Sequence, residues 1–121
     1  MQKSNWEKQM DDALADIVSI NSALESNRRM VQFKAMFRVL ELGLYDDKTI
    51  SVLVQLSKRI EKDTDQIMGS YMIGHFGMAT LYEIGCERSL TAFDIIYNKL
   101  DPDNRKLVDA LIDAKALRQE Q

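Results

Sequence analysis

His75 and Cys86 are the side chains best suited to acid–base or nucleophilic chemistry, and each is the only residue of its type in the 121-residue chain. An imidazole can act as a general base near neutral pH, and a thiolate is a nucleophile. Cys86 directly follows a predicted helix end, where the helix dipole raises the pKa of a thiol. A small helical enzyme centred on His75 and Cys86 is therefore only the second alternative, and we predict no catalytic residue.

A metal or cofactor site is the other chemistry that His75 suggests. It lies in line with Met68 and Met72 at helical spacing, and methionine and histidine together bind copper or haem iron. The sequence has no C-x-x-C-H motif, and the carboxylates of Asp12 and Asp16 lack the accompanying ligands of known metal motifs. We therefore predict no metal and no cofactor, and interpret the segment as a Met-rich core helix with a half-buried imidazole.

Arg28, Arg29, Lys34 and Arg38 form one basic cluster, which is opposed in the neighbouring sequence only by Glu41. A cationic face of this kind binds an acidic protein surface or phosphate groups. It is the basis of the first alternative function, a DNA-binding transcriptional regulator that uses the basic face from Arg28 to Arg38.

Residues 42–60 also have the helix–turn–helix rhythm of some DNA-binding proteins. The second helix of that motif would begin Asp47-Lys48-Thr49, which is acidic where such a helix meets phosphate. The whole chain has a formal net charge of -3, whereas nucleic-acid-binding proteins usually carry a basic excess. We therefore predict that nucleic acid is not the partner.

The elements that must position these residues are predicted to be helices. The chain contains 5 glycines and 1 proline, too few for the frequent turns of a β-sandwich or barrel. Its length fits one domain. We predict a single all-α domain over residues 1–121, a compact bundle of five or six helices joined by short turns.

Caps and apolar spacing give the helix bounds. The predicted helices run from Ser4 to Leu24, from about Ser26 to Gly43, from Asp46 or Asp47 to about Gly69, from about Ser70 to Ile84 with Gly85 as the stop, from a Ser89 cap to about Leu100, and onward from Asp101-Pro102.

Glycines mark two further features of this map. Gly74 and Gly77 lie inside the fourth helix, where each costs about 1 kcal/mol relative to alanine, so we expect another backbone to approach closely there. Separately, Met30–Ile50 and Met72–Ala92 align without gaps, and both copies contain a helix that ends in glycine. The bundle would then consist of two related helix pairs, although any two glycine-capped helices share much of this pattern.

The uncharged stretch 66–82 reaches only the lower length limit of a membrane span, about 17–25 residues. Because it contains three glycines and a histidine, we predict a buried helix and no membrane association. The single cysteine and the absence of an apolar h-region near the N-terminus favour a cytoplasmic protein.

Without a catalytic constellation, the sequence favours a small cytosolic protein that binds another protein and is not an enzyme. Regulators, inhibitors, immunity proteins and phage or plasmid accessory factors of bacteria share this size and acidic character, which is an association only. The near 3.5-residue apolar repeat of the first helix suits a homodimer. The candidate partner contacts are Arg28, Arg29, Lys34, Arg38, Trp6 and Met10.

Overall fold

The computed structural model describes residues 17–26, 28–43, 45–61 and 65–118. Within these residues the chain forms six α-helices, one short β-hairpin and a final 3-10 helix, which confirms the predicted all-α bundle. In chain order the elements are α1 (Ile17–Glu25), α2 (Arg29–Leu42), α3 (Asp47–Ser57), β1 (Gln66–Met68), β2 (Tyr71–Met72), α4 (Ile73–Ile84), α5 (Glu87–Tyr97), α6 (Pro102–Asp113) and the 3-10 helix (Ala116–Arg118).

Helix α4 is the centre of the bundle and packs against α2, α3, α5 and α6. Ten of its twelve residues are buried, among them Phe76, Met78 and Leu81. A helix that is apolar on all sides has to be covered on all sides. The burial of α4 therefore agrees with the absence of charged residues between positions 66 and 82. No helix in the described part of the chain is both long and apolar enough to cross a membrane.

Two helices end at the glycines predicted as stops. Gly43 has a φ of 66° and Gly85 a φ of 73°, a left-handed conformation that glycine adopts without steric cost. The two helix pairs of the proposed repeat, α2 with α3 and α4 with α5, have connections of different length. Helix α3 begins at Asp47, four residues after Gly43, whereas α5 begins at Glu87, two residues after Gly85. An internal duplication therefore stays a prediction.

Helix α3 ends at Ser57, so its predicted continuation to Gly69 is wrong. The chain leaves the helix where the carbonyl of Arg59 accepts a hydrogen bond of 2.9 Å from the N–H of Gly74. A continuing helix would use that carbonyl internally. Gly69 has a φ of 53° and lies at the first of two turn residues between β1 and β2, as a type II′ hairpin turn requires.

The close backbone approach expected at the glycines of α4 is confirmed. A Cβ atom added to Gly74 would lie 2.8 Å from the carbonyl oxygens of both Ser57 and Arg59. One added to Gly77 would lie 3.0 Å from the Ser57 hydroxyl oxygen. The end of α3 therefore lies directly against α4, and the contact at Gly74 leaves no room for a side chain.

Helix α1 contributes to the core through Ile20 and Leu24, which are fully buried and belong to a helix that packs against α2 and α3. These two positions of the predicted apolar repeat are therefore buried within the chain itself. Trp6 and Met10, which were predicted as partner contacts, lie outside the described residues. A homodimer through the first helix stays a prediction.

Candidate functional site

His75 lies in the first turn of α4, and only 1% of its surface is exposed. It is therefore more deeply buried than the half-buried imidazole that was predicted. Its Nδ1 atom accepts a hydrogen bond of 2.9 Å from the N–H of Met72. Nε2 therefore carries the proton and donates it to Oδ1 of Asn104 at 2.7 Å. The amide of Asn104 in turn donates to Asp101. The imidazole thus caps α4 and ties it to α6.

The environment of His75 favours the neutral ring. Burial lowers the pKa of His75 below its ordinary value of 6.5, although the hydrogen bond to Asn104 and the charge of Asp101 act in the opposite direction. Because both ring nitrogens are already hydrogen-bonded, neither is available to a substrate or metal ion without breaking a contact of the fold. The geometry supports a structural role for this residue.

Cys86 does not join His75 in one site. His75 lies in the first turn of α4 and Cys86 follows its last residue, so roughly 15 Å of helix separates them at 1.5 Å per residue. That distance is several times longer than the hydrogen bond between a nucleophile and its base. The structure gives the predicted alternative of a His75–Cys86 enzyme no geometric support.

The predicted environment of Cys86 is wrong in one respect. Cys86 is the N-cap of α5, whereas Ser89, predicted as that cap, is buried within the first turn. The thiol sulfur lies 3.4 Å from the Ser89 hydroxyl oxygen. The interaction with the side chain of Ser89, and then that with its backbone N–H, lowers the pKa of the Cys86 thiol below its ordinary value of 9.0, as is usual at the positive end of a helix.

We expect alkylation of Cys86 to reach half its maximal rate at a pH below 9.0. Ser89→Ala should move this midpoint upward because it removes the hydroxyl that stabilises the thiolate. The rate of reaction with iodoacetamide measures the midpoint directly, since the chain has one cysteine. A midpoint that Ser89→Ala leaves unchanged would contradict the assignment, and Thr91→Ala, at an exposed position of the same helix, is the control.

The four predicted basic contacts lie on or directly before α2. Arg28 precedes the helix and Arg29 begins it, and both are exposed, whereas Lys34 and Arg38 are partly buried. Nη1 of Arg38 forms an ion pair of 2.7 Å with Oε1 of Glu41. The structure therefore brings the basic residues onto one element, where Arg38 pairs with Glu41.

The beginning of α3, the part of a helix–turn–helix motif that would meet DNA, is occupied by contacts within the chain. Asp47 forms an ion pair with Arg88, and Nζ of Lys48 lies 2.8 Å from Oε1 of Glu25. Thr49 is fully buried. This arrangement gives no support to DNA reading by α3.

Among the described residues, no group of three or more His, Cys, Asp or Glu side chains is placed to hold a metal ion. Asp12 and Asp16, the carboxylate pair weighed from the sequence, lie outside them. The prediction of a chain without metal or cofactor stays a prediction.

A polar cluster that the sequence reasoning missed joins α1, α2 and the end of α3. Gln32 is 1% exposed, and its amide donates to the carbonyl oxygens of Leu24, at 3.0 Å, and Ser26. Carbonyls at a helix C-terminus lack partners within the helix. Oε1 of Gln32 lies 3.5 Å from Nη1 of Arg59, whose Nε donates to Oδ1 of Asp65 at 3.0 Å.

Beside this cluster an open cleft of about 460 Å³ runs between the end of α1 and α3. Leu24, Val52 and Leu56 provide its apolar lining, and Gln32 and Arg59 contribute polar groups. This volume lies within the range of small-molecule sites, about 300–1,000 Å³. The cleft is therefore a concave feature in which apolar lining and polar groups converge.

One signal in the sequence indicated the cluster. Gln32 lies on the same side of α2 as Ala35, Met36 and Val39, all of which are buried. An amide among apolar positions of a helix needs buried hydrogen-bond partners. The partners themselves come from other elements, so the local pattern does not identify them.

The site rests on its own geometry. Compared with protein-family models, with curated proteins and with solved structures, the chain matches none.

Proposed function

We propose that this chain is a small cytoplasmic protein that acts without catalysis, by binding an acidic segment of another protein. The binding surface is the outer face of α2, defined by Arg28, Met30, Lys34, Arg38 and Leu42. The observation that carries the proposal is the combination of cationic and exposed apolar side chains on this one helix.

The outer face carries two exposed apolar side chains, one near each end of α2. Met30 is 50% exposed and Leu42 is 43% exposed. Together with Lys34 and Arg38 they follow one another at intervals of four residues, which places them along one side of the helix. Methionine and arginine are enriched in protein interfaces, where apolar contact and directed hydrogen bonds are combined.

The charge of the face indicates the chemistry of the partner. The whole chain carries a net charge of -3, whereas the sequence of α2 itself contains one acid, Glu41, which is paired with Arg38. A cationic region on an acidic protein attracts acidic segments and repels most other basic surfaces. This contrast supports an acidic protein rather than nucleic acid, which binds chains with a basic excess.

The absence of catalysis is supported by the two residues best suited to chemistry. His75 uses both ring nitrogens within the fold. Cys86 lies beyond the opposite end of α4. The thiol of Cys86 has the hydroxyl of Ser89 beside it and not the imidazole of His75.

The test is capture of a partner from the native host on the immobilised full chain, followed by titration of the purified partner. We expect Arg28→Glu to weaken binding about threefold to tenfold and to reduce its salt dependence, as is typical of a charge at the rim of an interface. An acid directly before α2 suits the helix dipole, so this variant should remain folded.

Lys106→Glu is the matched control, because it makes the same change of charge at an exposed position of α6 and should leave binding unchanged. Equal binding by both variants would refute the role of the α2 face. A monomer by light scattering that retains no specific protein would refute the proposed function, and salt-dependent binding to DNA by anisotropy would replace it.

A further inference from the structure

We propose that the cleft between α1 and α3 binds a small organic carboxylate with an apolar body, and that the guanidinium of Arg59 anchors the carboxylate. This site is separate from the outer face of α2. It rests on the polar cluster of Gln32, Arg59 and Asp65 and on the shape of the cleft beside it.

The cleft extends along one side of α3. Lys48, Val52 and Leu56 line it at successive turns, and Arg59 completes the row just beyond the helix end. The row is roughly 15 Å long at 1.5 Å per residue. A ligand bound there would touch apolar side chains along its body and meet a cation at its end.

Arg59 is held in a fixed position by its neighbours. Its Nε is bonded to Asp65 at 3.0 Å, and this carboxylate is buried while the arginine side chain remains 30% exposed. Gln32 lies on a second side of the guanidinium at 3.5 Å and is itself held by carbonyls of the α1 end. A guanidinium carries five N–H groups, and those not directed at Asp65 and Gln32 are suited to a ligand.

The guanidinium of Arg59 selects an anion at this end of the cleft. The charged residues that line the cleft are Lys48, Arg59 and Glu25, and Glu25 is paired with Lys48 at 2.8 Å. Arg59 is likewise paired with Asp65, so the preference for an anion comes from those N–H groups of the guanidinium that are directed at neither Asp65 nor Gln32. The planar fork of a guanidinium matches a carboxylate through two parallel hydrogen bonds.

The apolar body follows from the remaining lining. Leu24, Val52 and Leu56 present hydrocarbon surface, whereas the polar groups Ser51 and Gln55 lie at exposed positions of α3. An inorganic anion would leave this apolar surface uncovered. A chain of several carbons attached to the carboxylate would cover it and gain from its burial.

Octanoate is the probe, with octanol as its uncharged counterpart of equal chain length. We expect octanoate, titrated into the ¹⁵N-labelled full chain, to shift the amide signals of the cleft residues in a saturable manner. Octanol should bind about tenfold more weakly or not at all, because it lacks the charge-assisted hydrogen bonds to Arg59.

Two variants test the anchor. Arg59→Gln should weaken octanoate binding about tenfold or more, although it also leaves Asp65 without its cation. Gln55→Glu avoids this complication, since it adds a carboxylate one turn before Arg59 at an exposed position and should weaken octanoate about threefold to tenfold by repulsion. Asn98→Asp, the same change outside the cleft lining, should have no effect.

Each result decides the proposal. Saturable shifts in the cleft that weaken in Gln55→Glu and not in Asn98→Asp support it. Equal affinity for octanol and octanoate would overturn the anchoring role of Arg59. Shifts scattered over the surface, or no shifts in the cleft, would overturn the site itself and leave the proposed binding at α2 unaffected.

Discussion

Gly74→Ala is expected to lower the free energy of unfolding by about 2–3 kcal/mol, the cost of overpacking at a tight contact. The added Cβ would lie 2.8 Å from two backbone carbonyl oxygens, those of Ser57 and Arg59, and 2.6 Å from Cγ2 of Ile60. Backbone atoms cannot rotate away, so α3 and α4 would have to separate. A urea titration with an unchanged m-value measures the loss.

The expected loss of stability is opposite in sign to the change that helix propensity alone would predict. In an exposed helix interior, alanine in place of glycine stabilises by about 1 kcal/mol. At Gly74 the steric cost exceeds that gain, and the shift would also strain the 2.9 Å hydrogen bond between the N–H of Gly74 and the carbonyl of Arg59. Unchanged or increased stability would show that α3 does not approach α4 as described.

Gly77→Ala is the matched control on the same helix. Its Cβ would meet the Ser57 hydroxyl oxygen at 3.0 Å and the Ser57 nitrogen at 3.2 Å, contacts looser than those at Gly74 that a shift of a few tenths of an ångström relieves. The gain in propensity then offsets most of the crowding, so its stability should lie within about 1 kcal/mol of the wild type. A larger loss at Gly77 than at Gly74 would reverse the predicted order of the two contacts.

These two glycines also show how far the sequence predicts this fold. Local rules suffice where a helix ends in glycine: a glycine after an apolar stripe predicted both left-handed caps, at Gly43 and Gly85. They also indicate that a glycine within an apolar helix needs a close neighbour. They do not identify Ser57 as that neighbour, because the partner lies 17 positions from Gly74 along the chain and is fixed by tertiary packing.

The C-terminal end of α3 was predicted too far along the chain, again because tertiary packing determines it. Apolar residues such as Ile60 and Ile67 continue the helical spacing beyond Ser57, so the pattern alone cannot distinguish a longer helix from a turn and a hairpin. The Gly74 contact and the Asp65 ion pair hold Arg59 outside the helix. The cleft depends on this displacement of Arg59, which is why the site could not be read from the sequence.

We expect the stability of the folded chain to fall as the pH decreases below 6.5, through the buried ring of His75. In the unfolded chain this imidazole titrates near its ordinary pKa of 6.5, whereas burial lowers its pKa in the fold. Between the two values the unfolded chain binds a proton that the folded chain does not. The stabilisation is therefore present above pH 6.5 and declines as the pH falls toward the folded pKa, by at most about 1.4 kcal/mol per pH unit.

The main physical cause is the desolvation of a buried imidazolium, and protonation also removes a hydrogen-bond acceptor. Protonation converts Nδ1 of His75 into a donor that faces the N–H of Met72, so the cap of α4 is replaced by two opposed donors. The bond from Nε2 to Asn104 survives protonation, and the charge of Asp101 favours the protonated ring. The desolvation cost of a buried cation exceeds these contributions, which is why the shift is downward.

His75→Gln separates the cap from the titration. A glutamine at this position can still accept from the N–H of Met72, as in a capping box, but it cannot reach Asn104 as the ring does. It should cost about 1–3 kcal/mol at pH 7.5 by leaving a polar partner unsatisfied, and flatten the pH dependence between pH 7 and 5. Equal slopes in both proteins would assign the acid sensitivity to other groups.

Because His75 is the only histidine, the Hε1 proton of its ring gives one NMR signal, and the midpoint of its titration can be followed directly. We expect this midpoint below 6.5 in the folded chain and near 6.5 in urea. Asn104→Ala removes a contact that favours the charged ring, so it should move the folded midpoint further down while also weakening the link between α4 and α6. A midpoint that rises in this variant would mean that Asn104, rather than burial, holds the ring neutral.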